Sequence, residues 1–267
     1  MRRALIAAAG VFLAAAPAAH ADTHYGGAAV LKGRGAAPYT SLVRKDDGRI
    51  QMRVLIVFAC GEEPRVDTVA RLSGSTPDGS AFSASGHTRV NGHRLRFSVS
   101  GTITPDAVEG KVRFSARGCP GFTRPLSLRV ASAPAGAPAM PPPSSLFNGL
   151  SAQFAGPVRL PVTIRVARNG RVYGVWTATM KCGPKAVVPM GSSITTTKVK
   201  PDGTFLDDTP YTVRYVDGSS ERYRIRFEGH FLADGAVGTL RARMQTHRKG
   251  HRYYPCDSGT QTWAARM

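Results

Sequence analysis

Two successive stretches of this 267-residue chain carry the same spacing of cysteines, glycines and aromatics. With Cys60 set on Cys182, Tyr25 falls on Phe147, Gly27 on Gly149, Ser41 on Thr163, Gly48-Arg49 on Gly170-Arg171 and Gly61 on Gly183, without a gap. Further on, after a small change of offset, Arg94-Leu95-Arg96-Phe97 falls on Arg222-Tyr223-Arg224-Ile225. There too Gly101 meets Gly229, Asp106 meets Asp234 and Gly110 meets Gly238. A unit copied in tandem must once have folded alone. The duplication therefore predicts two domains, each with its own core and its own pair of cysteines.

All four cysteines follow what reads as an export signal. Arg2-Arg3 gives a positive start, the apolar stretch from Ala4 to Ala16 is too short for a membrane span, and Ala19-His20-Ala21 is a small-x-small cleavage site. Residues 1–21 are thus expected to be removed, leaving Asp22 as the mature start, with no cysteine after the cut for lipid attachment. No later stretch is long and apolar enough to cross a bilayer, so a secreted or envelope-associated product is expected. An even number of cysteines in an exported chain argues for disulfides. Of the three possible connectivities the repeat favours Cys60–Cys119 and Cys182–Cys256. Each bond would close a loop of roughly 60 to 75 residues, worth about 4 kcal/mol in the chain-entropy model. Zinc held by the same cysteines is the weaker rival, since no CxxC spacing exists. No cofactor is expected.

Residues 131–145 read ASAPAGAPAMPPPSS. Proline at that density predicts an extended, stiff spacer with nothing to bury, dividing a first domain at 22–130 from a second at 146–267. Both halves alternate with a period of two. One face of the first copy carries Ile50, Met52, Val54, Ile56, Phe58 and Cys60; the matching face of the second carries Val172, Gly174, Trp176, Ala178, Met180 and Cys182. Such a run is a strand whose inner face reaches the core. Asp47-Gly48, Asn91-Gly92, Asn169-Gly170, Asp217-Gly218 and Asp234-Gly235 lie between alternating runs and accept the positive φ of tight hairpins. The expectation is all-β: two tandem antiparallel β-sandwich or small β-barrel domains, each with one disulfide.

The formal net charge is +19, two units of which belong to Arg2 and Arg3. An excess this large favours anionic polymers or surfaces as partners. The alternative is compositional: richness in Ala, Gly, Pro and Arg follows from a high-GC coding sequence. Alternation places Arg94 and Arg96 on an outward face, with Lys111 and Arg113 on the neighbouring strand. The second copy repeats this with Arg222, Arg224 and Arg226 beside Arg241 and Arg243. Like charges on adjacent strands cost stability, which hints at a counter-anion, although Glu228 and Asp217 stand close enough in sequence to screen them. The stretch from Gly238 to Cys256 is twice as long as that from Gly110 to Cys119. Its extra residues, His247-Arg248-Lys249-Gly250-His251-Arg252-Tyr253-Tyr254, read as a hairpin arm. Arg248, Lys249 and Arg252 interleaved with tyrosines suit a phosphate backbone or rings, or are simply a solvated tip.

Catalytic signatures are weak. Asp257-Ser258-Gly259 matches a trypsin-like nucleophile segment over three residues only, too few residues follow it for the rest of such a fold, and an Ala-Ala-His-Cys segment is lacking. A Gly-x-Ser-x-Gly elbow, a His-Glu-x-x-His helix and a P-loop are absent from the sequence. What the copies share is turn glycines, core apolars, cysteines and outward arginines, and no acid–base pair recurs in both. The second copy runs from Phe147-Asn148-Gly149 through Asn169-Gly170, Cys182, Asp202-Gly203-Thr204-Phe205, Gly229 and Gly238 to Cys256 and Trp263-Ala264-Ala265-Arg266. In this it resembles an uncharacterised secreted two-cysteine β-repeat of exported proteins from high-GC Gram-positive bacteria and their relatives. The first copy departs at its end, with Cys119-Pro120-Gly121-Phe122 and Leu126 in the Trp place. The resemblance implies a structural scaffold and carries no activity. The expected function is a non-catalytic binding or envelope-associated module contacting an anionic wall polymer, polysaccharide or lipid surface, with nucleic acid left open. An extracellular enzyme with its site between the domains, and a structural spacer, are the alternatives.

Overall fold

A computed structural model describes residues 22–30, 36–58, 60, 66–77, 79–184, 186–193, 197–214, 218–247 and 255–267. The proposed signal, residues 1–21, lies outside them, as does the arm at 248–254 with Arg248, Lys249 and Arg252. The first part is a meander of eight antiparallel strands. They are β1 (Thr23–Val30), β2 (Ala36–Arg44), β3 (Arg49–Phe58), β4 (Val66–Ser75), β5 (Ala81–Val90), β6 (His93–Ile103), β7 (Ala107–Ala116) and β8 (Cys119–Val130). Each pairs with the next, and β8 returns to β1 through Tyr25 opposite Val130 and Gly26 opposite Arg129, so the sheet closes into a barrel. Closure leaves the first barrel without a free sheet edge, which an open sandwich would have exposed.

The second part contains β9 (Leu146–Ala155), β10 (Val158–Val166), β11 (Arg171–Cys182), β12 (Ala186–Ser193), β13 (Thr197–Lys198), β14 (Thr204–Asp207), β15 (Pro210–Arg214), β16 (Ser220–Leu232), β17 (Gly235–His247), β18 (Cys256–Asp257) and β19 (Gln261–Arg266). Six of these, in the order β9, β10, β11, β18, β17 and β19, form a second closed ring. β12 and β13 flank β11, while β16 with β14 and β15 extends from β17. Both disulfides, Cys60–Cys119 and Cys182–Cys256, are formed as the repeat favours. Their sulfurs bond to one another, so they are not zinc ligands.

Alternation accounts for the cores. Ile50, Met52, Val54, Ile56 and Phe58 of β3 all point into the first barrel, and Val172, Trp176, Ala178 and Met180 of β11 into the second. Asn91-Gly92 closes β5 onto β6 with both residues at positive φ. The Asp234-Gly235 expectation fails in its reason. Gly235 is not in the left-handed region; it is small because a Cβ would lie 2.4 Å from the Ala265 carbonyl oxygen and 2.6 Å from Pro134.

The two barrels pack on each other. Tyr39 and Leu55 face away from the first core, yet they are buried together with Ala28 against Val175 of the second barrel. β1 makes this contact possible at Gly26, where a Cβ would stand 2.2 Å from Leu150 Cδ2 and 2.5 Å from the Gly149 carbonyl oxygen. The Ala28 N–H donates to Thr163 Oγ1 at 2.8 Å, and that hydroxyl donates to Asn148 Oδ1 at 2.7 Å. The proline-rich segment is pinned to the second barrel and is not a free spacer. Pro134 and Pro141 are buried, Pro138 bridges to Leu232, and the Ala139 N–H donates to the Phe231 carbonyl.

His24 lies in this seam, its ring 5.7 Å from Phe154 in an edge-to-face arrangement. Burial, then Arg159 and Lys45, push its pKa below the ordinary 6.5, against the opposing pull of Asp22. The lowered value means the unfolded chain takes the proton more readily. The contribution to stability is therefore complete above pH 6.5 and is lost as pH falls through the folded midpoint. An NMR titration of His24 should give a midpoint below 6.5. A midpoint at or above that value would contradict the packed seam.

Candidate anion-binding surface

On the first barrel the strand pattern turns every second residue of β5, β6 and β7 to solvent, and these residues form cross-strand rows. Ser85 faces Ser98, which faces Arg113; His87 faces Arg96, which faces Ser115; Ser83 faces Ser100, which faces Lys111; Arg89 faces Arg94. All are exposed. Arg94, Arg96 and Arg113 line an open concavity of about 430 Å³ together with His87, Ser85, Ser98 and Ser115. Among the described residues, no carboxylate lies within ion-pair distance of Arg94, Arg96, Lys111 or Arg113, since every ion pair involves other groups. Five donors on each guanidinium and adjacent hydroxyls make this a surface that can bind oxyanions.

The second barrel places Arg222, Arg224, Arg226, Arg241 and Arg243 on its outward face, with Arg224 opposite Arg243 and Arg226 opposite Arg241. Here carboxylates supply the counter-charge. Arg224 makes a two-pronged contact with Asp208 at 3.0 and 3.1 Å. Arg226 reaches Glu228 at 2.6 Å and Asp208 at 3.5 Å. Arg241 forks onto Asp257 at 3.1 and 2.6 Å, and Arg243 joins it at 3.3 Å. The hydrogen bonds from Arg224, Arg226 and Arg241 are the main reason that Asp208, Glu228 and Asp257 stay below the usual carboxylate range. Only Arg222, opposite Thr212 and Gln245, stands apart from this network. The two stripes, alike in sequence, thus differ in available charge. Asp208 and Asp257 were missed in the sequence because each comes from a different strand or connection, beyond the reach of an alternation argument. Asp217 lies outside the described residues.

Asp257-Ser258-Gly259 is structural. Ser258 is buried; its Oγ accepts from the Ala242 N–H at 2.9 Å and donates to the Gly259 carbonyl at 2.8 Å. His93 Nδ1 lies 3.6 Å from Cys119 Sγ, beside the disulfide. A larger concavity, about 860 Å³, opens on the second barrel between Arg159, Lys200, Glu228, His230 and Trp263. Glu228 there is held ionised by Arg226 and by the Thr239 hydroxyl, which donates to it at 3.0 Å. That disposition is unsuited to a general acid, which needs a raised pKa.

Fold and surface together define an all-β protein of two closed barrels, each with one internal disulfide, and a basic face on the first that no carboxylate among the described residues pairs. No protein-family model matches this chain, and no curated protein matches it in sequence.

Proposed function

We propose that this is an exported, non-catalytic binding module of the cell envelope, a duplicated two-cysteine β unit whose first barrel docks onto anionic polymers through β5, β6 and β7. One observation carries the reading: Arg94, Arg96, Lys111 and Arg113 stand exposed together, with no described carboxylate to balance them. The serines between them add donors for sulfate, phosphate or carboxylate groups carried in series along a chain. Export accords with the signal-like residues 1–21 and with two disulfides, which persist in oxidising compartments. No described helix is long and apolar enough to cross a membrane. Strand order supports duplication, since β1, β2 and β3 ending near Cys60 correspond to β9, β10 and β11 ending in Cys182.

Retention on immobilised heparin is the direct test. The intact chain should be held at low salt and released as the ionic strength rises, since exposed charges are screened over about 8 Å at physiological salt. The triple variant R94E/R96E/R113E should elute at far lower salt. Reversal of Arg224 and Arg241, which already have carboxylate partners, should change retention much less. Unchanged retention of the triple variant would remove the first barrel from the reading.

A further inference from the structure

A second cationic feature lies away from the serine-arginine face, in the groove where the barrels meet. Arg53 of β3 and Arg71 of β4 stand directly opposite each other across adjacent strands. Like charges so placed repel. Arg53 is also withdrawn from water, and burial first, with Arg71 second, pushes its pKa down to about 10. Even so, it remains a cation at neutral pH. No ion pair or side-chain hydrogen bond links either guanidinium to a described carboxylate.

What faces the pair is largely apolar, with Gln51, Ser73 and Thr179 as the polar exceptions. Two adjoining concavities, of about 430 and 480 Å³, share Arg53, Arg71 and Ala155. Their far walls come from the β9–β10 hairpin, at Phe154, Pro157 and Val158, and from β12, at Val187 and Pro189. Phe154 is 56% exposed and Val187 62% exposed, large values for apolar side chains flanking a groove. A half-buried Arg53 beside an exposed Arg71, with no counter-ion among the described residues, and an uncovered apolar wall make complementary demands. One ligand meets both: an oxyanion head to take the two guanidinium forks and a hydrocarbon body to cover the wall.

We propose that the groove between the barrels binds a single-chain anionic amphiphile, its carboxylate or phosphate head between Arg53 and Arg71 and its chain along Phe154, Pro157 and Val187. The recognition is distinct from polymer docking on β5 to β7. It uses two arginines and a greasy wall in place of a row of exposed cations.

Titration calorimetry below the critical micelle concentration tests this with dodecanoate and dodecyl phosphate as probes. Dodecanol serves as tail without head, and acetate and inorganic phosphate as heads without tail. At least one of the two amphiphiles should bind saturably at one site per chain, and which of them binds more tightly identifies the head. The tail-only and head-only probes should bind at least tenfold more weakly. R53Q/R71Q should weaken amphiphile binding at least tenfold, while its melting temperature without ligand stays equal or rises, because a repulsion has been removed. F154S should weaken the amphiphile and leave inorganic phosphate unaffected. R94E/R96E/R113E should bind the amphiphile as the parent does, which separates this site from the polymer-binding face. The proposal is overturned if neither amphiphile binds, if R53Q/R71Q binds unchanged while folded, or if inorganic phosphate alone binds as tightly as dodecyl phosphate.

Discussion

Trp263→Ala is expected to destabilise the second barrel by about 3–5 kcal/mol, the range for deleting a large buried aromatic. Trp263 is almost wholly buried and lies parallel to Phe227, with 5.1 Å between ring centroids and 1° between planes. Phe205 stacks near it at 6.1 Å. The indole rests over the cross-strand pair Gly229 and Gly238, where a Cβ would stand 2.6 and 2.5 Å from its Cζ2. Those glycines have no side chain to swing into the space, so the cavity left by the indole stays open. A loss of this size is a large part of the total of about 5–15 kcal/mol typical of a domain. Chemical denaturation followed by near-ultraviolet circular dichroism measures it. A loss below about 1 kcal/mol would mean that the stack does not hold the barrel together.

The double variant C182A/C256A is the other large effect, expected to cost about 4 kcal/mol from chain entropy alone. The linked residues are 74 apart in sequence. Here the bond also sits at the closure of the ring. β18 is only two residues long, and it pairs with β11 through Cys256 opposite Cys182 and with β17 through Cys256 opposite Met244. Without the cross-link those few backbone hydrogen bonds must hold the ring shut. Hydrogen exchange should therefore quicken in β18 and at the facing ends of β11 and β17 before it quickens elsewhere. C60A/C119A should lose a similar entropic contribution without opening its ring, because the first barrel closes where Tyr25 and Gly26 of β1 meet Val130 and Arg129, at the far end of β8 from Cys119. Equal exchange patterns in the two double variants would refute this asymmetry.

Much of the local architecture was legible. A period of two ending at Cys60 and at Cys182 located the inner faces of β3 and β11, and the repeat selected the disulfide pairing among three possibilities. Sandwich or barrel could not be decided, because that choice rests on Tyr25 meeting Val130, residues at opposite ends of the first unit. The contact between barrels left a trace that alternation alone passes over. Val54 to Phe58 is apolar at every position, and Leu55, on the wrong face for the first core, is buried 2% exposed against the second. The basic stripes were placed on the outward face correctly, but their net charge was not readable. Alternation gives the side of a sheet and says nothing of which carboxylate a guanidinium will reach. Asp208, Glu228 and Asp257 pair with four of the five arginines of one stripe, while nothing described answers Arg94, Arg96 and Arg113. Arg53 and Arg71 drew no notice in the sequence, since their setting depends on a hairpin from the other barrel.

β1 serves two assemblies at once. Its edges complete the first ring through Arg44 to Ala36 on one side and Val130 on the other, while Gly26 and Ala28 seat the second barrel. Severed halves of this protein would each carry a greasy scar where the partner had rested, so the tandem is a single mechanical body and not beads on a string.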